Sequence, residues 1–135
     1  MKPQMIAKNN DMNKPNGSGL TRIFKAAHCS IKGFKAAFIH ESAFRQELFL
    51  TALLVPASFY LAQSNLHHLM LIATLFFVLF AEIINSALEA LADKITLEHD
   101  ELIGRAKDLG SSAVFLAISL LVLIWTEALY TKFAG

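Results

Sequence analysis

The stretch AEIINSALEALADK, residues 81–94, places acidic and amide side chains at helical spacing inside an apolar sequence. At about 100° per residue, Asn85, Ser86, Glu89 and Asp93 all fall within about 60° of Glu82, so they form one polar stripe along a helix. Oxygen ligands without His or Cys favour Mg²⁺ over zinc, and Mg²⁺ is usually bound by a few carboxylates together with substrate phosphates. A second, buried carboxylate can act as a general base. The stripe therefore predicts a site for a metal, a nucleotide and a base.

The depth of the stripe in a membrane distinguishes this interpretation from a structural one. Eleven residues separate Glu82 from Asp93, which is about 16 Å along a helix, so Glu82 lies well inside the bilayer if Asp93 marks its surface. A carboxylate at that depth costs on the order of 2 to 3 kcal/mol. Hydrogen bonds to Asn85 and Ser86 that hold helices together are one way to offset the cost. Packing alone does not require Glu89 as a second acid.

Composition and hydropathy predict an all-α membrane protein. Hydrophobic residues make up 55% of the 135 residues, and too few polar residues remain to cover the outside of a soluble bundle. Residues 48–81 carry no charge and are too long for one span, and the polar cluster at 62–68 divides them. Residues 109–126 form another neutral stretch, about 27 Å long as a helix. Three transmembrane helices are predicted, at about 46–63, 68–93 and 109–130.

The sequence before the first span predicts two further segments. Residues 1–19 are rich in Asn, Lys, Gly and Pro and are interpreted as a mobile tail. Residues 20–38 place their apolar side chains, including Ile23, Phe24 and Phe34, on one side of a helix and their Lys and Arg residues away from it. This pattern is typical of a basic amphipathic helix on an anionic membrane surface. Packing of the Phe face on the bundle is the alternative.

Charge distribution predicts the topology. Seven of the 12 Lys and Arg residues precede residue 41, and the 62–68 loop has none. The positive-inside rule then places the N-terminus and the 93–108 segment in the cytoplasm, and the short loop and the C-terminus outside. Trp125 and Tyr130 fit an aromatic belt at the outer interface. Cys29 is the one cysteine, so no intramolecular disulfide is encoded.

Two charged clusters flank the stripe. Glu41 and Arg45 are spaced i, i+4, for which the simplest interpretation is an interfacial ion pair. Residues 97–112 join the second and third spans, either as a solvated loop or as a segment in which Arg105 and Lys107 meet phosphate oxygens. The sequence has no Walker A motif and none of the motifs of soluble protein kinases.

Three motifs carry a family resemblance: ESAFRQE at 41–47, EIINSALEALADKI at 82–95 and GRAKDLGSSAV at 104–114. From about Thr21 onward, the chain closely resembles the prokaryotic diacylglycerol kinase family. The resemblance implies a homotrimeric inner-membrane enzyme with three spans, a surface helix and a single kinase domain at 20–135. It would transfer the γ-phosphate of Mg-ATP to the hydroxyl of diacylglycerol at the cytoplasmic interface, and nucleic acid is not a partner.

The family's functional positions fall on the following residues, as the resemblance implies. Glu82 is the catalytic base, and Glu41 and Glu89 bind the metal and the nucleotide. The other nucleotide contacts are Arg22, Glu98, His99, Asp100, Lys107 and Asp108. The lipid substrate contacts are Lys35, Phe38, Ala43, Phe44, Arg45, Glu47 and Ser111, and the supporting polar residues are Asn85, Ser86 and Asp93.

Three alternatives stay open at this point. Members of the wider family phosphorylate undecaprenol, and the motifs do not choose between the two lipids. A small ion or proton pathway is less favoured, because the acids occupy only the cytoplasmic half of the bilayer. An assembly factor whose acids serve only as hydrogen-bond partners is the third.

One three-helix subunit can hardly enclose so polar a site, so sites completed by neighbouring subunits are expected.

Overall fold

The structure is a computed structural model that describes residues 19–135. All regular secondary structure in this range is helical: α1 (Leu20–His40), α2 (Ser42–Leu61), α3 (Asn65–Ile95) and α4 (Glu101–Phe133). Apart from Gly19, the predicted N-terminal tail lies outside the described residues. The described part of the chain divides after Lys35 into two units, and the second of them is residues 36–135.

The described part of the first unit is most of α1. Every side chain from Leu20 to Lys35 is exposed, including the large apolar ones at Ile23, Phe24 and Phe34. The apolar face that the sequence predicts therefore has no partner among the described residues of this unit, and Arg22 and Lys35 are exposed on the same helix.

The second unit begins with the end of α1, where Glu41 interrupts the helix. Its extended backbone, with φ −105° and ψ 113°, separates α1 from α2. The break leaves backbone carbonyls at the end of α1 without helical partners. The Arg45 guanidinium donates to two of them, to Phe38 O at 3.0 Å and to Ile39 O at 3.1 Å. The predicted Glu41–Arg45 ion pair is wrong, because Arg45 caps α1 instead.

Side-chain caps mark the residues at which α3 and α4 begin. Ser64 Oγ accepts from His67 N at 3.1 Å, so α3 begins earlier than the predicted span at about 68. Asp100 Oδ1 accepts from Ile103 N at 2.9 Å and starts α4. The interpretation of 97–112 as a loop is therefore wrong for most of its length. Hydropathy marks only the apolar part of a helix, and charged turns can precede it.

The core of the second unit lies between α3 and α4, with a contribution from α2. Leu71, Leu75, Trp125 and Ala128 are buried together with Leu61. A smaller cluster nearer the polar stripe consists of Val78, Ala81 and Ala117, whose small side chains let the two helices approach closely.

Trp125 belongs to this core rather than to an exposed belt. It is only 6% exposed, and its indole N–H donates to Thr74 Oγ1 at 3.1 Å. The prediction for Trp125 is therefore wrong, because its polar atom is satisfied inside the protein instead of at the lipid headgroups. Tyr130 is exposed, as an interfacial residue would be.

Within the described residues, α3 and α4 are the two helices long and apolar enough to cross a membrane. In the most apolar 18-residue stretch of α3, 44% is buried inside the protein. In the corresponding stretch of α4, only 17% is buried. Core helices of a soluble protein would be mostly covered, so these exposed apolar faces are consistent with a membrane protein.

Candidate active site

The polar stripe on α3 faces the interior of the second unit at one end and solvent at the other. Glu82 is 5% exposed, and Asn85 and Ser86 are also buried. Glu89 is partly buried and Asp93 is exposed. As the helical periodicity predicts, these residues lead along one side of α3 from a buried carboxylate to an accessible one.

Three carboxylates of the second unit line one cleft of about 450 Å³, which we call the acidic cleft. Glu41 comes from the break before α2, and Glu82 and Glu89 come from α3. The charges of Glu41 and Glu89 both act on Glu82. The remaining lining residues are Ser42, Ala43, Asn85, Ser111, Val114, Phe115 and Ile118. The cleft therefore has an acidic wall from α3 and an apolar wall from α4.

Asn85 fixes the position of one of these carboxylates. Its side-chain nitrogen Nδ2 donates to Glu89 Oε1 at 3.0 Å, while its oxygen Oδ1 is buried without a hydrogen-bond partner among the described residues. Ser86 lies beside the Glu82 carboxylate, one turn along α3. The Glu82 and Glu89 carboxylates thus have polar neighbours on their own helix.

The ligand chemistry of the acidic cleft suits a hard cation. Glu41 and Glu89 offer carboxylate oxygens, and Mg²⁺ prefers oxygen ligands. Among the described residues there is no group of three or more His, Cys, Asp or Glu side chains that could hold a metal ion. A Mg²⁺ ion bound by two carboxylates and substrate phosphates does not need such a group.

A second, smaller cleft of about 180 Å³ lies at the connection between α3 and α4, and we call it the turn cleft. Lys107 donates to Asp93 Oδ1 at 2.9 Å, and the charge of Glu89 also acts on it. Lys107 thus places a positive charge in the turn cleft, within electrostatic reach of Glu89 in the acidic cleft. The turn cleft is lined by Asp93, Thr96, Leu97, Glu98, His99, Asp100, Ile103, Gly104 and Lys107.

Most of the residues assigned by resemblance therefore fall into two neighbouring groups. Glu41, Ala43, Glu82, Asn85, Glu89 and Ser111 line the acidic cleft, and Asp93, Glu98, His99, Asp100 and Lys107 line the turn cleft. Asp100 is at the same time the cap of α4.

The other assigned residues of the second unit lie outside these clefts. Phe38 and Asp108 are exposed, and Phe44 is buried. Arg45 is engaged with the end of α1. Glu47 is partly buried, and the charge of Glu82 acts on it, so it belongs to the surroundings of the acidic cleft.

Sequence reasoning missed the apolar wall of the acidic cleft. Val114, Phe115 and Ile118 continue from Ser111 at intervals of three, four and seven residues along α4. Residues at those intervals share one face of a helix, so Ser111 was the signal that could have identified them.

Another cleft lies at the opposite end of the α3–α4 pair, with a volume of about 470 Å³. Its ionisable side chains are His67 and Glu127, whose Nε2 and Oε2 atoms are 3.4 Å apart. It has one carboxylate where the acidic cleft has three. The acidic cleft is therefore the better candidate for metal-dependent chemistry.

Comparison with known proteins identifies the family of the chain. Residues 28–129 match the model of the family described as prokaryotic diacylglycerol kinase. A diacylglycerol kinase of Escherichia coli (strain K12) is 45% identical over 118 residues, which cover 87% of this chain and 97% of the relative. Diacylglycerol kinases of Pseudomonas aeruginosa and Haemophilus influenzae are 40% and 38% identical, over 83% and 84% of this chain and 91% and 96% of the relatives. The chain belongs to the prokaryotic diacylglycerol kinase family.

Proposed function

We propose that the protein is a diacylglycerol kinase that transfers the γ-phosphate of ATP to a lipid hydroxyl, giving phosphatidic acid and ADP. The observation that carries the proposal is the acidic cleft, in which a buried carboxylate at Glu82 lies near two more at Glu41 and Glu89. Membership of the family and the names of its relatives supply the substrate class.

Glu82 is the proposed general base. It accepts the proton of the lipid hydroxyl as the hydroxyl oxygen attacks the γ-phosphorus, and the bond to the leaving ADP breaks. Its burial suits this role, because a lipid alcohol approaches from the apolar side while the nucleotide approaches from water. Ser86 beside Glu82, and Asn85 between Glu82 and Glu89, support the two carboxylates.

Glu41 and Glu89 would hold Mg²⁺ in the acidic cleft. Bound there, the ion would neutralise the charge of the β- and γ-phosphates. Lys107 would position the phosphates, and its hydrogen bond to Asp93 holds the ammonium in the turn cleft. The remaining proposed nucleotide contacts are Arg22, Glu98, His99, Asp100 and Asp108, and the proposed lipid contacts are Lys35, Phe38, Ala43, Phe44, Arg45, Glu47 and Ser111.

We also propose that α2 spans the bacterial inner membrane with α3 and α4, and that α1 lies on its cytoplasmic surface. The N-terminus and the α3–α4 connection would then be cytoplasmic. The acidic cleft is open, so a homotrimer in which neighbours complete each site fits the proposal. A monodisperse, active monomer in detergent would contradict the shared site.

The activity is tested with the full chain in detergent micelles. Purified protein receives Mg-ATP together with either diacylglycerol or undecaprenol, and phosphate transfer to each lipid is measured. Faster transfer to diacylglycerol is expected, whereas preference for undecaprenol would reassign the acceptor within the family. Transfer to neither lipid would refute the kinase proposal and leave the ion pathway or an assembly role.

The Glu82→Gln variant tests the catalytic base. It keeps the size of the side chain but removes the proton acceptor, so kcat should fall by about 100-fold or more while nucleotide binding is retained. Glu127→Gln is the matched control, since it changes a carboxylate at the opposite end of the helix pair and should leave transfer near the wild-type rate. Turnover of Glu82→Gln at the rate of the control would exclude Glu82 as the base.

A further inference from the structure

Gly110 occupies a position in α4 that needs an explanation. It is buried in the interior of a long helix, where glycine is less favourable than alanine. A glycine in such a place usually marks the close approach of another group. The group that approaches Gly110 belongs to the polar stripe of α3.

A β-carbon at position 110 would collide with Asn85. It would lie 2.5 Å from Asn85 Oδ1 and 3.5 Å from Asn85 Cγ, and 3.4 Å from Leu88 Cδ1. Real β-carbons do not approach another heavy atom as closely as 2.5 Å. Even alanine at 110 therefore requires the Asn85 amide to move.

The Asn85 amide has little freedom to move without releasing Glu89. Its Nδ2 donates to Glu89 Oε1 at 3.0 Å, and an ionised carboxylate only accepts hydrogen bonds. The nitrogen must therefore face Glu89, which leaves the oxygen facing Gly110. The Asn85 side chain thus connects the position of the Glu89 carboxylate to the lack of a side chain at Gly110.

We propose that Gly110 is a positioning residue of the active site. Its missing side chain provides the space in which Asn85 holds the Glu89 carboxylate toward the acidic cleft. Residues that orient a metal ligand typically change metal affinity or activity by about 10- to 100-fold when they are mutated. The inference rests on the proposed function only in giving Glu89 a metal-binding role.

Gly110→Ala is compared with Gly33→Ala in the full-length protein in detergent. Gly33 also lies inside a helix, and no described atom beyond its own helical backbone lies within 4 Å of the β-carbon that alanine would add. Binding of Mn²⁺ in the presence of a non-hydrolysable ATP analogue is followed by electron paramagnetic resonance, and the melting temperature is measured in parallel. Mn²⁺ affinity should fall by about tenfold or more in Gly110→Ala and stay unchanged in Gly33→Ala.

The Asn85→Ala background separates positioning from general packing. Asn85→Ala removes the colliding amide, so Gly110→Ala should cause no further loss of Mn²⁺ affinity there. If Gly110→Ala alone does not fold, the double variant should regain folding and match Asn85→Ala. The proposal would be overturned if the two Gly→Ala variants bound Mn²⁺ with equal affinity. It would also be overturned if the losses of Mn²⁺ affinity from Gly110→Ala and Asn85→Ala were additive, or if the double variant stayed unfolded.

The same experiment distinguishes failure of this inference from failure of the proposed function. A wild-type protein that binds Mn²⁺ and the analogue but transfers no phosphate would contradict the kinase proposal, while the comparison of variants would still judge Gly110. A wild-type protein that binds no Mn²⁺ would overturn both the metal-binding role of Glu89 and the role of Gly110.

Discussion

At the residue scale, the break at Glu41 gives two charged side chains of the ESAFRQE motif, Glu41 and Arg45, different roles. Glu41 lines the acidic cleft, while Arg45 donates to the carbonyls of Phe38 and Ile39. Helical spacing alone paired these two residues with each other. Unpaired backbone carbonyls compete for a guanidinium, and a sequence does not reveal where a helix breaks by a single residue.

Arg45→Gln tests the capping role. Loss of two charge-assisted hydrogen bonds should destabilise the end of α1 by about 1 kcal/mol, a modest value because the guanidinium is exposed. Hydrogen exchange at the amides of Glu41 and Arg45 should become faster. Arg45→Lys keeps a charged donor and should show a smaller change. Unchanged exchange in Arg45→Gln, with only a higher KM for the lipid, would favour the lipid-contact role alone.

At the element scale, the pairing of α3 with α4 determines the site, because each cleft takes residues from both helices. The pair is joined at its far end by the Trp125–Thr74 hydrogen bond and near the stripe by Ala81 and Ala117. Periodicity predicts which face of α3 is polar. It does not predict which residues of α4 lie opposite, since the register of two helices depends on side-chain packing.

Trp125→Phe tests this pairing. It removes the donor to Thr74 and part of a buried ring, so the free energy of unfolding should fall by about 1 to 2 kcal/mol. The measurement is denaturation of the purified protein in mixed micelles. Thr74→Val removes the acceptor from the other helix, and the two changes together should cost less than their sum. Strict additivity would mean that the hydrogen bond contributes nothing.

At the scale of the whole molecule, large apolar side chains are exposed along α2, α3 and α4, for example Phe49, Phe76 and Phe115. A single chain in water would not be stable with so much exposed apolar surface, so lipid or further copies of the chain must cover it. Composition alone predicts this outcome. The number of helices that cross the bilayer and the state of assembly are the parts that composition does not determine.

Cys29 provides a direct test of the proposed topology, because it is the one cysteine of the sequence and is exposed on α1. In spheroplasts, a membrane-impermeant maleimide should label it only after lysis, as expected for the cytoplasmic side. In a Cys29→Ser background, Gln63→Cys in the α2–α3 connection should be labelled without lysis. Labelling of Cys29 in intact spheroplasts would reverse the orientation.

The amino-acid sequence by itself determined the helical class, the apolar stretches and the polar stripe of α3, because hydropathy and helical periodicity are local properties of a chain. It also carried the motifs that place the chain in its family. Only the tertiary structure decided that Glu41 joins Glu82 and Glu89 in one cleft, that Trp125 is buried, and that Gly110 meets Asn85. Each of these depends on how residues far apart in sequence pack together, which no local pattern records.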